Sequence, residues 1–258
     1  MFINSPVRSF PVDPNNEASV GLLLAGSIAT AWLALHIGAV FFFPWKQAWL
    51  LAPLVIAVQC WLYVGLFIVA HDCMHGSLVP GRPQLNVTIG RIILFVYAGF
   101  PFDKVNANHH EHHRYSGTEL DPDFDERPPH GFWAWYVRFM TEYVSARQLA
   151  AIAVTVALYV SVFRAPVENI FCFWTIPAIL SSLQLFTFGT YLPHRPGRDL
   201  MEDRHRARSN DFPRWLSLLT CFHFGYHREH HLKPGTPWWR LPAMRDAMVS
   251  SKPLEHVN

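Results

Sequence analysis

Residues 109–113 read HHEHH, four imidazoles in five positions of a 258-residue chain that holds 15 histidines. Two more clusters accompany this one: His71 and His75 in "VAHDCMHGS", and His223, His227, His230 and His231 in "CFHFGYHREHH". Ten of the 15 histidines fall in these three clusters. On a helix, positions i, i+3 and i+4 share a face. That rule puts His71 with His75, and His109 with His112 and His113. It puts His227 with His230 and His231, and sets His223 one turn earlier on the same face. His110 is rotated about 100 degrees from His109 and should point elsewhere. Imidazole suits iron, zinc and copper rather than magnesium or calcium. One ion cannot use eight or nine imidazoles; two ions can.

The carboxylates nearby need a role too. Carboxylate-bridged bundles use Glu plus Glu-x-x-His pairs, and the one comparable pair here is Asp72 with His75. Asp72, Glu111, Asp121, Asp123, Asp125 and Glu229 therefore read better as acceptors for the far N–H of each ring, which orients it. Turn and capping chemistry in "LDPDFD" is the competing explanation. His194, in "YLPHRPG", stands at the correct depth to join the ligands. His36, His130, His205 and His256 read as ordinary polar residues.

These clusters need a frame. The hydrophobic share is 51%, with 10 Trp and 20 Phe, yet the mean hydropathy is only +0.13. Strongly apolar blocks must alternate with polar ones. Four such blocks lie at about 19–43, 48–70, 148–163 and 168–192. Three reach the roughly 20 residues needed to cross a bilayer core, and the third is marginal. A shorter apolar stretch, 89–102, predicts a re-entrant or interfacial segment. The expected fold class is an all-α integral membrane protein, with four transmembrane helices, the re-entrant or interfacial helix and a cytosolic helical cap carrying the histidine clusters. One domain is expected over 1–258, with flexible tails at 1–18 and 246–258. The polar block 71–147 has seven Lys or Arg and the stretch 193–258 has eleven, against one each in the links at Lys46 and Arg164. Positive charge favours the cytoplasmic side, so all three clusters and both termini are expected there, in a bacterial inner membrane. The residues before 19 lack the pattern of a secretory signal. Cys60, Cys73, Cys172 and Cys221 form no CxxC pair and read as buried thiols.

The three clusters, "HDCMH", "HHEHH" and "HREHH", resemble the histidine boxes of the membrane fatty acid desaturase and hydroxylase superfamily. Within it, "HDCMHG", "FGTYLPHRPG" and "CFHFGYHREHHLKPGTPWWRLP" are similar to the bacterial β-carotene 4-ketolases, over about residues 18–245. The resemblance implies a non-haem di-iron oxygenase, with two Fe(II) as cofactor and O2 as cosubstrate. It implies oxidation of the allylic C4 and C4′ methylenes of β-ionone rings, first to an alcohol and then, through a geminal diol that loses water, to a ketone. β-Carotene would give echinenone and then canthaxanthin, and hydroxylated rings would lead to astaxanthin. The implied ligands are His71, His75, His109, His112, His113, His227, His230 and His231, with His194 and His223 joining them. The chain has no fused cytochrome domain, so electrons are expected from a separate donor such as a ferredoxin. The partners expected are thus a carotenoid, that donor and membrane lipid, with no nucleic acid.

A long apolar substrate should enter from the lipid between helices. Trp61, Tyr63, Phe67, Phe186, Phe188 and Tyr191 are the aromatic residues expected to line its slot. Arg204, Arg206 and Arg208 offer a basic surface for an acidic donor or for lipid head groups. Trp238 and Trp239 suit an interfacial anchor. A carotenoid hydroxylase or a fatty acid desaturase uses the same boxes and remains the nearest alternative. A zinc hydrolase would want HExxH, but Arg114 stands where its last histidine should be. A metal transporter would want polar residues across the bilayer midplane, where these segments have few.

Overall fold

The computed structural model describes residues 14–127, 131–196 and 204–250, so His130 and His256 lie outside the described residues. The described residues form helices and turns with no strand. Helix α1 (Pro14–Phe42) carries Glu17 in its first turn, where a carboxylate complements the helix dipole, and ends just before Pro44. Helix α2 (Trp45–Met74) includes one tighter turn at Trp49–Leu51. It stops where Gly76 takes a left-handed φ of 67°. Helix α7 (Val167–His194) contains two wide turns, Phe171–Thr175 and Phe186–Tyr191. These three helices are long and apolar enough to cross a membrane. The second packs against α1, α7 and the following helix α3 (Pro83–Ala98), and it supplies much of the core through Tyr63, Val64, Leu66 and Ile68.

Two bent pairs complete the frame. Helix α3 ends at Gly99, whose φ of 71° closes it, and α4 (Phe102–Tyr115) leaves at 103°. The sharp V needs Gly90: a Cβ there would stand 2.2 Å from the Phe102 ring. Helix α5 (Phe132–Tyr143) meets α6 (Ala146–Ser161) at 86°. Ser145 and Gln148 cap the start of α6 reciprocally. The expected third crossing, 148–163, is this 16-residue helix, about 24 Å long at 1.5 Å per residue. By length and composition three helices can cross, or five if each bent pair counts as one span. The shorter helices α8 (Arg214–Cys221), α9 (His227–Leu232) and α10 (Leu241–Ser250) follow.

Residues 14–18 and 246–250 are helical, not part of flexible tails. Glu17 explains the first: it is buried and accepts from Trp239 Nε1 at 3.2 Å and Arg240 Nε at 2.9 Å. The same contact corrects the anchor expected at Trp238 and Trp239. Trp238 is buried, its backbone N–H donating to Asp72 Oδ2 at 3.1 Å, and Trp239 holds α1. All four cysteines are free thiols; Cys60, Cys73 and Cys221 are buried and Cys172 is half-buried.

Candidate metal centre

The ends of α2, α4, α7 and α9 meet, and their imidazoles gather in two groups. One holds His71, His75, His109, His113 and His230; the other holds His112, His194, His227 and His231. Within each group every ligand nitrogen lies within 4.8 Å of the others. An imidazole nitrogen sits about 2.0–2.1 Å from a transition metal, so neighbours at right angles on one ion stand about 3.0 Å apart. In the five-histidine group the Nε2 atoms of His75 and His109 are 2.8 Å apart, those of His113 and His230 2.9 Å, and those of His71 and His230 3.2 Å. In the four-histidine group His194 and His227 stand at 2.9 Å, His227 and His231 at 3.0 Å, and His112 and His231 at 3.2 Å. Lone pairs aimed at one point in a buried site repel one another unless a cation takes them. The donor set fits a metal ion in each group.

The two groups cut across the sequence clusters. His109 and His113, four apart on α4, go to one group, while His112 goes to the other. On α9 the reverse holds: His227 and His231 share the four-histidine group, and His230 crosses to the five. Successive residues turn about 100 degrees around a helix, so each cluster straddles both groups. His110 is exposed, with Nδ1 on the Asn106 carbonyl at 2.8 Å, and belongs to neither group. The structure also leaves His223 out of both. Residues 222 and 223 have φ of 47° and 63°, so no helix runs from His223 into α9, and its ring stacks on Tyr226 and Trp238. His36 pairs with Tyr159 OH at 3.3 Å, far along α1, and His205 lies beside Arg204 with its ring 6.2 Å from that of His231.

One carboxylate of the expected set orients a ring directly. Asp121 faces His112 Nδ1 at 2.9 and 3.0 Å and also accepts from the Gly117 and Asp123 backbone N–H groups. Its charge holds the proton on Nδ1 and turns the Nε2 lone pair inward. Asp72 Oδ1 stands 3.6 Å from His71 Nδ1, beyond a hydrogen bond, because its other oxygen is held by Trp238. Asp123 accepts from the Tyr143 hydroxyl, and burial pushes its carboxyl up to about 6. Glu229 is committed to Arg245 and Ser209, Asp125 to Arg127 and Arg138, and Glu111 is exposed. The sequence offered no sign of the acceptor for His194, which is the Arg206 carbonyl at 2.9 Å. Burial, then neighbouring imidazoles, hold His227, His230 and His231 well below the ordinary histidine range. Each is neutral at pH 7 and ready to coordinate.

A cleft ends on both groups, touching His71 and His109 of one and His112 and His227 of the other. Its wall is mainly apolar, with Phe67, Phe100, Phe139, Leu185 and Phe186 along it. Phe67 and Phe186 thus stand where the sequence suggested. Trp61 does not line the cleft: it stacks on Phe222 and donates to the Leu218 carbonyl at 3.2 Å. Tyr63 packs between Trp32 and Tyr97, Phe188 faces Phe212, and Tyr191 packs on Phe132 and Trp135. Helical positions alone do not say which side of an aromatic-rich helix meets a cavity and which meets a neighbour. Of the basic trio, Arg206 donates to the Gly117 carbonyl, while Nε and one terminal nitrogen of Arg208 are buried without a partner among the described residues.

Helices long and apolar enough to cross a membrane, with two histidine groups at their ends able to hold metal ions, are the features expected of a membrane metalloprotein. The fatty acid desaturase family model matches residues 44–147 and 141–257, and the chain belongs to that family of enzymes. It is 48% identical over 228 residues to a beta-carotene ketolase of Paracoccus sp. (strain N81106 / MBIC 01143), covering 88% of this chain and 93% of that one. It is 38% identical over 238 residues to beta-carotene 4-ketolase 3 of Haematococcus lacustris, covering 90% of this chain and 68% of that one. The sn-1 oleoyl-lipid 12-desaturase of Arthrospira platensis is more distant, at 26% over 239 residues, covering 75% of this chain and 67% of that one.

Proposed function

We propose that this chain is a β-carotene ketolase: a di-iron, O2-dependent oxygenase that converts the C4 and C4′ methylenes of β-ionone rings to ketones. The observation that carries the reading is the apolar cleft ending on two adjacent histidine groups. An allylic ring methylene must lie against an oxidising metal site, and a hydrocarbon substrate needs an apolar approach. The irons, when bound, supply the oxygen chemistry. The chain's own residues do the rest. Nine imidazoles hold the ions, Asp121 and the Arg206 carbonyl fix two rings, and the aromatic wall positions the ring and keeps water out.

The ligands proposed are His71, His75, His109, His113 and His230 for one ion and His112, His194, His227 and His231 for the other. The proposed site lies at one membrane face, and the basic residues around it support the cytoplasmic one. On this reading a ferredoxin-type donor supplies electrons. The test is product analysis in a host that makes β-carotene. The expected products are echinenone and canthaxanthin; desaturated acyl chains with β-carotene unchanged would assign the chain to the desaturases instead.

A further inference from the structure

A ketone requires two oxidations at one carbon, so the half-oxidised ring must stay in place or return in the same pose. The cleft contains a feature suited to that. Among the residues lining it, Tyr97, Tyr143, Ser182 and Thr190 carry hydroxyls. Tyr97 is bonded to Ser181 at 3.0 Å, Ser182 to Tyr136 at 2.6 Å, and Tyr143 to Asp123. Thr190 is buried, 7% exposed, and its hydroxyl has no hydrogen-bond partner among the described residues.

A helical threonine commonly folds its hydroxyl back onto the preceding turn. Thr155, Thr187 and Thr220 do so, donating to the carbonyls of Ala151, Leu183 and Leu216 at 2.8, 2.6 and 2.8 Å. Thr190 does not. It lies in the wide turn Phe186–Tyr191, and such turns re-aim side chains at functional sites. Its neighbour Gly189 makes the placement tight: a Cβ there would stand 2.7 Å from the Phe224 ring. That ring in turn lies 4.6 Å from the ring of His71 and 4.9 Å from that of His227, one in each group. A free donor in a mainly apolar wall is the kind of group that fixes a ligand's orientation.

We propose that the Thr190 hydroxyl binds the alcohol formed by the first oxidation, holding the ring so that the remaining C–H at the same carbon faces the histidine groups. The proposal rests on the ketolase reading. Each round consumes one O2, two electrons from an external one-electron carrier and two protons. One oxygen atom enters the C–H bond and the other leaves as water. After the second round the geminal diol loses water to give the ketone. Thr190 thereby acts as a specificity-determining residue, setting whether the enzyme stops at the alcohol or continues.

The experiment compares wild type, Thr190→Val and Thr190→Ser in the β-carotene host, with iron content measured on each purified protein. Thr190→Val should retain iron and shift products toward 4-hydroxy carotenoid, raising the alcohol-to-ketone ratio about three- to ten-fold, the span of one buried hydrogen bond. Thr190→Ser should restore the wild-type ratio. An unchanged ratio in Thr190→Val overturns the proposal while the ketolase reading stands; a wild type that makes no ketone overturns both. A second measurement, without reductant, titrates wild type, Thr190→Ser and Thr190→Val with 4-hydroxy-β-carotene and with β-carotene. A preference for the alcohol that is kept in Thr190→Ser and lost in Thr190→Val supports the hydrogen bond from Thr190, and the same preference in all three proteins overturns it.

Discussion

The two histidine groups share one ligand type and differ in almost everything behind it. All four imidazoles of the smaller group are buried, none above 3% exposed, and two have fixed acceptors for the far ring nitrogen, a carboxylate and a carbonyl. In the larger group His75 and His113 are half-buried. Among the described residues no carboxylate hydrogen-bonds any of its rings, Asp72 falling short at 3.6 Å. One group is backed by negative charge and more deeply buried; the other has more imidazoles and a more open setting. Identical side chains need not give equivalent metals, because the acceptor behind an imidazole tunes its donor strength and its rotational freedom.

The largest effect should come from removing a shared-face ligand. His227→Ala and His75→Ala should each lower ketone formation at least about 100-fold, beyond the 10–100-fold typical of an outer partner. If the groups are separable sites, metal analysis will find about one ion per chain in each variant, where wild type holds about two. Loss of both ions from either variant would merge the two groups into one coupled centre. Next comes the carboxylate contrast. Asp121→Asn should cost about 10–100-fold in activity or iron affinity. Asp72→Asn, whose residue makes no hydrogen bond to a ring, should cost only about three-fold in iron affinity, a contrast with the outer-partner effect. Equal losses, read by iron titration, would abolish the distinction.

Gly189→Ala bears on both groups at once, because the added methyl displaces Phe224, which lies against His71 and His227. Overpacking of this kind costs about 1–3 kcal/mol, visible as a lower thermal midpoint, with iron occupancy falling in both groups together. The smallest effect belongs to His223→Ala. Its ring stands outside both groups, so iron content should match wild type and activity should stay within about two-fold, as for a substitution away from the site. A drop to one ion per chain would return His223 to the ligand set.

Much of this was legible beforehand. The apolar runs of α1, α2 and α7 announced spanning helices because the bilayer sets a minimum length that few other folds require. Eight of the nine clustered imidazoles stood in spacings that only a helix turns into one face, and His194 was placed by its depth beside α7. What failed did so where the local rule stopped applying. His223 was read one helical turn before His227, but the backbone at residues 222 and 223 is left-handed and breaks that register. Trp61, Phe188 and Tyr191 were read as a lining, yet each packs on another element. Glu229 precedes His230 and His231 in sequence but is claimed by Arg245 in space.

The amino-acid sequence by itself determined which residues could bind metal, how many there were, and that apolar helices would carry them to a common level. These follow from side-chain chemistry and from a helical period that is the same in every helix. Only the tertiary structure decided which imidazole joins which group, that α4 and α9 divide their histidines in opposite senses, and that Asp121 rather than Asp72 backs a ring. Those outcomes depend on the relative directions of helix axes. Packing sets these directions through contacts far apart in the chain, such as Phe102 against Gly90 and Phe224 against Gly189.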